Sequence, residues 1–166
     1  AGKMLDGMGS IIDTYKEGAL PTDSADRKAA IMERAQAKFA DRDDVIAFNK
    51  KNYAGKEKEA MERQRDHYLT AGVTDLKEMK SGMKYADTLI KQGMSKEDAD
   101  RRAAATIDFK KTLQEQGQAK SVYDKEKQQK YIQSMVDKVA DGDKAKVRAR
   151  YENAFKAVAA YDAANN

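Results

Sequence analysis

Between Gly72 and Gly93 the chain sets Leu76, Met79, Met83, Ala86 and Ile90 three and four residues apart. Positions so spaced share one face of a helix, whereas a strand returns to the same face every second residue. The spacing predicts a helix over about 75–92 with a narrow, coiled-coil-like apolar seam. A phrase written twice frames it: "AGVTDLKEM" at 71–79 and "QGMSKEDAD" at 92–100, each a glycine, an apolar residue, a hydroxyl residue and a charged run.

A DNA-reading helix-turn-helix is one source of such a phrase. With Gly93 at the turn, Leu89 falls where a small residue packs and Arg102 where an apolar anchor belongs. The second helix would also open with Glu97, Asp98 and Asp100, which repel phosphates. A helix corner fits every position. Gly72 and Gly93 would end helices in the left-handed conformation, Val73 and Met94 would supply the apolar contact, and Thr74 and Ser95 would cap the next helix, with Ser95 and Asp98 approximating a capping box. The phrase is read as a corner used twice.

The same periodicity predicts helices over about 3–17 (Met4, Met8, Ile11, Ile12, Tyr15), 24–40 (Met32, Phe39) and 43–71 (Val45, Ile46, Phe48, Tyr53, Met61, Tyr68). Asp43 is the expected cap of the third, and Gly55 a point at which it divides. Further helices are expected over 96–116 (Ala99, Ala103, Ile107, Phe109, Leu113), 118–140 (Ile132, Met135, Val136, Val139) and 143–164 (Val147, Tyr151, Ala154, Phe155, Val158). In the sixth, "DKEKQQK" at 124–130 has no apolar residue for nearly two turns, so it is solvated or meets a polar partner. Pro21, the only proline, separates an N-terminal amphipathic arm or first helix at 1–20 from a helical domain at 21–166. "IMERAQAKF" at 31–39 echoes "AMERQRDHY" at 60–68, but no third copy follows, against a repeat array.

The expected fold is all-α: an elongated antiparallel bundle of six to seven helices joined by short Gly-capped turns. Composition makes its core thin. Of 67 apolar residues 27 are alanine, while Leu, Ile, Val and Phe number only 24. Alanine favours helix but buries little area. Such helices complete their burial by self-association or against a partner, so the leading expectation is a non-enzymatic interaction or assembly protein.

Several chemistries lack their residues. There is no cysteine, hence no disulfide, thiolate metal site or cysteine nucleophile. His67 is the only histidine, and Gln64 stands three before it, so neither a di-iron bundle motif nor a zinc set is present. "DKVADGDKAK" with Gly142 at the sixth position of a calcium loop would put Val139 and Arg148 at ligand positions, so Gly142 and Asp143 are read as the end of one helix and the cap of the next. No Gly-x-Ser-x-Gly elbow or phosphate-cradling Gly-x-x-x-x-Gly-Lys loop occurs. No cofactor, metal or small-molecule substrate is implied, and no enzyme is expected. No apolar run approaches the roughly 18 residues of a membrane span. A cytoplasmic setting is expected, and a secreted mature form or a virion component fits the same features.

Two surfaces remain as candidates. Methionine is frequent, with 8 in the chain, and Met4, Met8, Ile11, Met79 and Met83 are the candidate partner-binding residues, because methionine adapts to irregular partners; the plainer alternative is gap-filling in a leucine-poor core. For a nucleic-acid partner the candidates are Lys50, Lys51 and Tyr53, then Lys144, Lys146, Arg148 and Arg150, which alternate and so split into two helix ridges. Cations in a helix's first turn oppose its dipole, which points either to an anionic partner or to a helix that runs straight through Gly142. "RRAAATIDFKK" at 101–111 resembles helices of large phage virion proteins, which would place the nucleic-acid alternative in a phage or mobile-element setting.

Overall fold

A computed structural model describes residues 33–34 and 37–166, and every regular element among them is helical. The segment predicted at 3–17, with Met4, Met8 and Ile11, lies outside these residues, as does most of 24–40. The described elements are α1 (Asp43–Asn52), α2 (Glu57–Arg63), a π-helical segment (Gln64–Leu69), α3 (Leu76–Lys91), α4 (Lys96–Glu115), a 3-10 turn (Ala119–Val122), α5 (Lys125–Val136), a second 3-10 turn (Asp141–Asp143) and α6 (Lys144–Ala164).

Local chemistry sets these boundaries. In α1, Asp43 and Asp44 occupy the positive end of the dipole and Lys50 and Lys51 the negative end. Arg42, not Asp43, is the N-cap residue; Asp43 is already helical. Gly55, at φ +79°, separates α1 from α2, dividing the 43–71 stretch where expected. The repeated phrase is a corner both times. Gly72 and Gly93 have φ of +84° and +102°. Val73 N–H donates to the Tyr68 carbonyl and Gly72 N–H to Leu69; Met94 N–H donates to Leu89 and Gly93 N–H to Ile90. Those paired reversed bonds satisfy the helix's last carbonyls, the Schellman arrangement. Ser95 Oγ accepts from Asp98 N–H at 3.2 Å, but before α3 the cap is Asp75, which accepts from Lys77 N–H at 2.8 Å, and not Thr74. A carboxylate one residue nearer the helix answers the same donor with a full charge.

The corner occurs a third time, unannounced by the phrase. Gly117 has φ +69°, with Gln118 N–H donating to Leu113 and Gly117 N–H to Gln114. The helix predicted over 118–140 therefore begins only at Lys125, behind the cap Asp124, whose carboxylate accepts from the Glu126 and Lys127 amides. It ends at Val136, well before Gly142. Asp143 does stand at the N-cap position of α6, as expected, although its side chain makes no cap bond, whereas Gly142 lies inside the second 3-10 turn and ends no helix.

The described residues fall into two units, divided inside α4 between Ala104 and Ala105. In the first, α3 buries Leu76, Met79, Met83 and Ala86 as the spacing requires, and also Tyr85 and Leu89; Ile90 is only half-buried. The buried face is thus wider than a coiled-coil seam. Ile46, expected inside, is 40% exposed. In the second unit, Phe109 and Leu113 of α4, Tyr131, Ile132 and Val136 of α5, and Val147, Phe155 and Val158 of α6 form one core. Its centre is aromatic: the Phe109 and Phe155 rings meet edge to face at 5.2 Å, as do Tyr131 and Phe155 at 5.9 Å.

Candidate functional site

In the first unit the strongest buried chemistry centres on Arg63, the last residue of α2. Its Nε and one terminal nitrogen grip Asp100 of α4 at 2.7 and 3.0 Å, and the same nitrogen reaches Asp87 of α3 at 2.9 Å. Tyr68 Oη donates to Asp100 at 2.8 Å, and Tyr53 Oη donates to Asp87 at 2.8 Å. The guanidinium also lies over the Tyr53 ring, 5.5 Å from its centroid. The π segment explains how Arg63 and Tyr68, five positions apart, reach one carboxylate. In an α-helix such residues diverge, whereas the wider π turn brings residues five apart into line.

Electrostatics favour the protonated forms of Arg63, Tyr53 and Tyr68. Burial alone would lower the Arg63 pKa, but the hydrogen bonds and charge of Asp100, with Asp87, outweigh it and raise it. Burial, reinforced by the negative charge of Asp87, pushes the Tyr53 phenol well up; burial and Asp100 do the same to Tyr68. Behind the knot, Asn49 and Gln64 exchange two amide hydrogen bonds at 3.2 and 2.7 Å. A cleft of about 300 Å³ opens beside Tyr53, Arg63 and Asp87, edged by Lys56, Lys91 and Lys96. Lys96 is paired with Glu59, which also lines the cleft.

The second unit holds a larger cleft, of about 450 Å³, at the junction of the Gly117 corner with α5. Lys120, Lys127 and Lys130 line it, with Gln118, Ser121, Tyr131 and Ser134, and no carboxylate does. Ser121 Oγ donates to Gln118 Oε1 at 2.8 Å, and Gln128 Nε2 donates to the Ser121 carbonyl at 3.2 Å, which fixes the 3-10 turn against α5. Ser134 Oγ donates to the Tyr131 carbonyl at 2.6 Å. Beside the turn, Tyr123 is 77% exposed. Its hydroxyl donates to Asp162 at 3.2 Å, and Asp162 also accepts from Lys110 at 2.8 Å.

The residues singled out from the sequence scatter when placed. Met79 and Met83 are wholly buried, so the surface role proposed for them gives way to the gap-filling one. Tyr53 is half-buried, with the Arg63 guanidinium over its ring and Phe48 set nearly perpendicular to it at 5.9 Å, so its ring is engaged in packing within the fold. Arg150, 4% exposed, belongs to the buried face of α6. Lys144 Nζ donates to the Val136 carbonyl at 3.1 Å, so it caps the end of the preceding helix. Arg148 donates to Gln133 of α5. Of the seven basic-surface candidates, Lys50, Lys51 and Lys146 remain exposed. His67 is half-buried in the π segment. Among the described residues no group of three or more His, Asp or Glu could hold a metal ion, and no helix is long and apolar enough to cross a membrane.

Sequence reasoning missed the Arg63 knot, whose partners lie 24 to 37 residues apart. It flagged the 124–130 stretch as solvated or partner-facing without identifying the cleft. No protein family, curated protein or solved structure matches this chain.

Proposed function

We propose that this chain is a non-enzymatic helical protein that works through its surfaces, assembling with copies of itself or with a protein partner in the cytoplasm. The observation that carries this reading is the direction of the buried ionisable chemistry. General acid–base catalysis tunes groups toward the working pH. Here Arg63, Tyr53, Tyr68 and Lys110 are all raised, away from neutrality, and all four are committed to helix-to-helix contacts. Among the charged side chains of the surface two large apolar ones stay outside, Ile46 and Met61, each 40% exposed, while α4 fills buried positions with Ala99, Ala103, Ala104 and Ala105.

Light scattering on the purified chain tests this. A mass above the 18.5 kDa monomer that rises with concentration is expected, with Ile46→Asp or Met61→Asp lowering it. A heat-stable 18.5 kDa monomer at every concentration, unchanged by either substitution, would count against self-assembly. The alternative, a nucleic-acid-associated protein, keeps the exposed Lys50, Lys51 and Lys146 and requires binding that weakens steeply with salt. A gel shift at low salt that Lys50→Gln and Lys51→Gln abolish would favour it.

A further inference from the structure

The positive charge that needs an anion lies at the start of α5, although the sequence drew attention to the start of α6. Near the start of α6, cations oppose the helix dipole, but Lys144, its first residue, spends its charge on the Val136 carbonyl, and Arg148, one turn on, on Gln133. Lys125 and Lys127 stand in the same unfavourable place in α5, and neither Lys127 nor Lys120 has a side-chain partner among the described residues. Lys130 meets Glu126 at 3.5 Å, a pair in which both side chains are more than three-quarters exposed and which contributes little. Asp124, the N-cap of α5, has its carboxylate engaged by the Glu126 and Lys127 amides.

We propose that the cleft lined by Lys120, Lys127, Lys130 and Gln118 binds a small ligand carrying several phosphoryl groups. Its surface is set up to donate. Three acceptors at its wall each already take a hydrogen bond: Gln118 Oε1 from Ser121, the Ser121 carbonyl from Gln128, and the Tyr131 carbonyl from Ser134. With its oxygen held by Ser121, the Gln118 amide keeps its NH₂ as a donor. Three lysines therefore line a space of about 450 Å³ whose lining holds no carboxylate, a volume within the roughly 300–1,000 Å³ of small-ligand sites. The exposed Glu126 stands beside Lys130. Lysine binds as a point charge, without the planar fork by which arginine selects carboxylates, so this trio responds to charge density. An oligophosphate concentrates the most negative charge in that volume. Gly117 at the rim adds no side chain, and a Cβ there would meet nothing within 4 Å.

The test is a titration of the ¹⁵N-labelled full chain with tripolyphosphate at low ionic strength, followed by amide chemical shifts. Saturable shifts clustered at 117–134 are expected. The double substitution Lys120→Gln, Lys127→Gln removes two ammonium groups and weakens binding about tenfold or more. Lys146→Gln, an exposed lysine elsewhere, leaves it within about twofold. All three side chains are exposed, so unchanged far-ultraviolet circular dichroism is expected for these variants. Absence of saturation, shifts spread over lysines along the whole chain, or an equal loss in Lys146→Gln would overturn the proposal. So would a single-stranded oligonucleotide that binds more tightly than tripolyphosphate and shifts Lys50, Lys51 and Lys146 as well, since that pattern belongs to a nucleic-acid surface. The assembly reading stands or falls separately, on the mass of the chain.

Discussion

At Asp100 one fully buried carboxylate takes three hydrogen bonds, two from Arg63 and one from Tyr68. Removing one partner of a buried, hydrogen-bonded pair leaves the other charge stranded, at a cost of about 3–5 kcal/mol. Asp100→Ala leaves Arg63 its bond to Asp87, so it should lose about 3 kcal/mol, the lower end of that range, in urea denaturation. A loss below about 1 kcal/mol, ordinary for exposed pairs, would show that the knot is solvated. The two phenols add a pH dependence of definite sign. Tyr53 and Tyr68 titrate near pH 10 when unfolded and well above it when folded. Their contribution is therefore complete below about pH 10 and lost above it, because the unfolded chain releases protons that the folded one retains. Urea midpoints should fall from about pH 10 upward, and Tyr68→Phe should fall less steeply, after an initial loss of about 1–3 kcal/mol from leaving Asp100 short of a donor. An identical slope for the variant would remove Tyr68 from the account. Met83, wholly buried beside Gln64, belongs to the core; Met83→Ala should cost about 2–5 kcal/mol by the same measurement.

At the scale of the element, the glycine corners separate by backbone angle. Gly72 and Gly93 hold φ of +84° and +102° with open space where a Cβ would sit, so alanine there carries backbone strain alone, about 1–2 kcal/mol. Gly142 does not share that conformation, and Gly142→Ala should be neutral or stabilising by about 0.4–1 kcal/mol. Equal effects at Gly93 and Gly142 in thermal melts would contradict the distinction. The corners and helices were legible because periodicity and left-handed glycines are local signals. α3, α4 and α6 end within a residue or so of where the spacing puts them. The π segment was not legible: its purpose, bringing Arg63 and Tyr68 to one carboxylate, exists only when Asp100 is in place. The start of α5 was misplaced because Gly117 ends α4 without the apolar-hydroxyl continuation that marked the other two corners, and its cap, Asp124, lies seven residues on.

For the whole molecule, helical class followed from alanine, charge and a single proline, and it holds among the described residues. The division into two units at Ala104 had no sequence signal, because it falls in the middle of "RRAAATIDF", an unbroken helical run with neither glycine nor proline. The sites scattered for a related reason. A basic letter in a sequence does not show whether its charge is spent, and Lys144, Arg148 and Arg150 are spent on the fold. The claim that remains central is that the chemistry inside this protein holds helices together and that its surfaces do the work. Amide hydrogen exchange of the full chain, compared between dilute and concentrated solution, tests it most directly. Self-assembly predicts protection that grows with concentration at α1 and α2, around Ile46 and Met61, and is absent in Ile46→Asp. Exchange identical at both concentrations, with the chain sedimenting as an 18.5 kDa monomer, would contradict it.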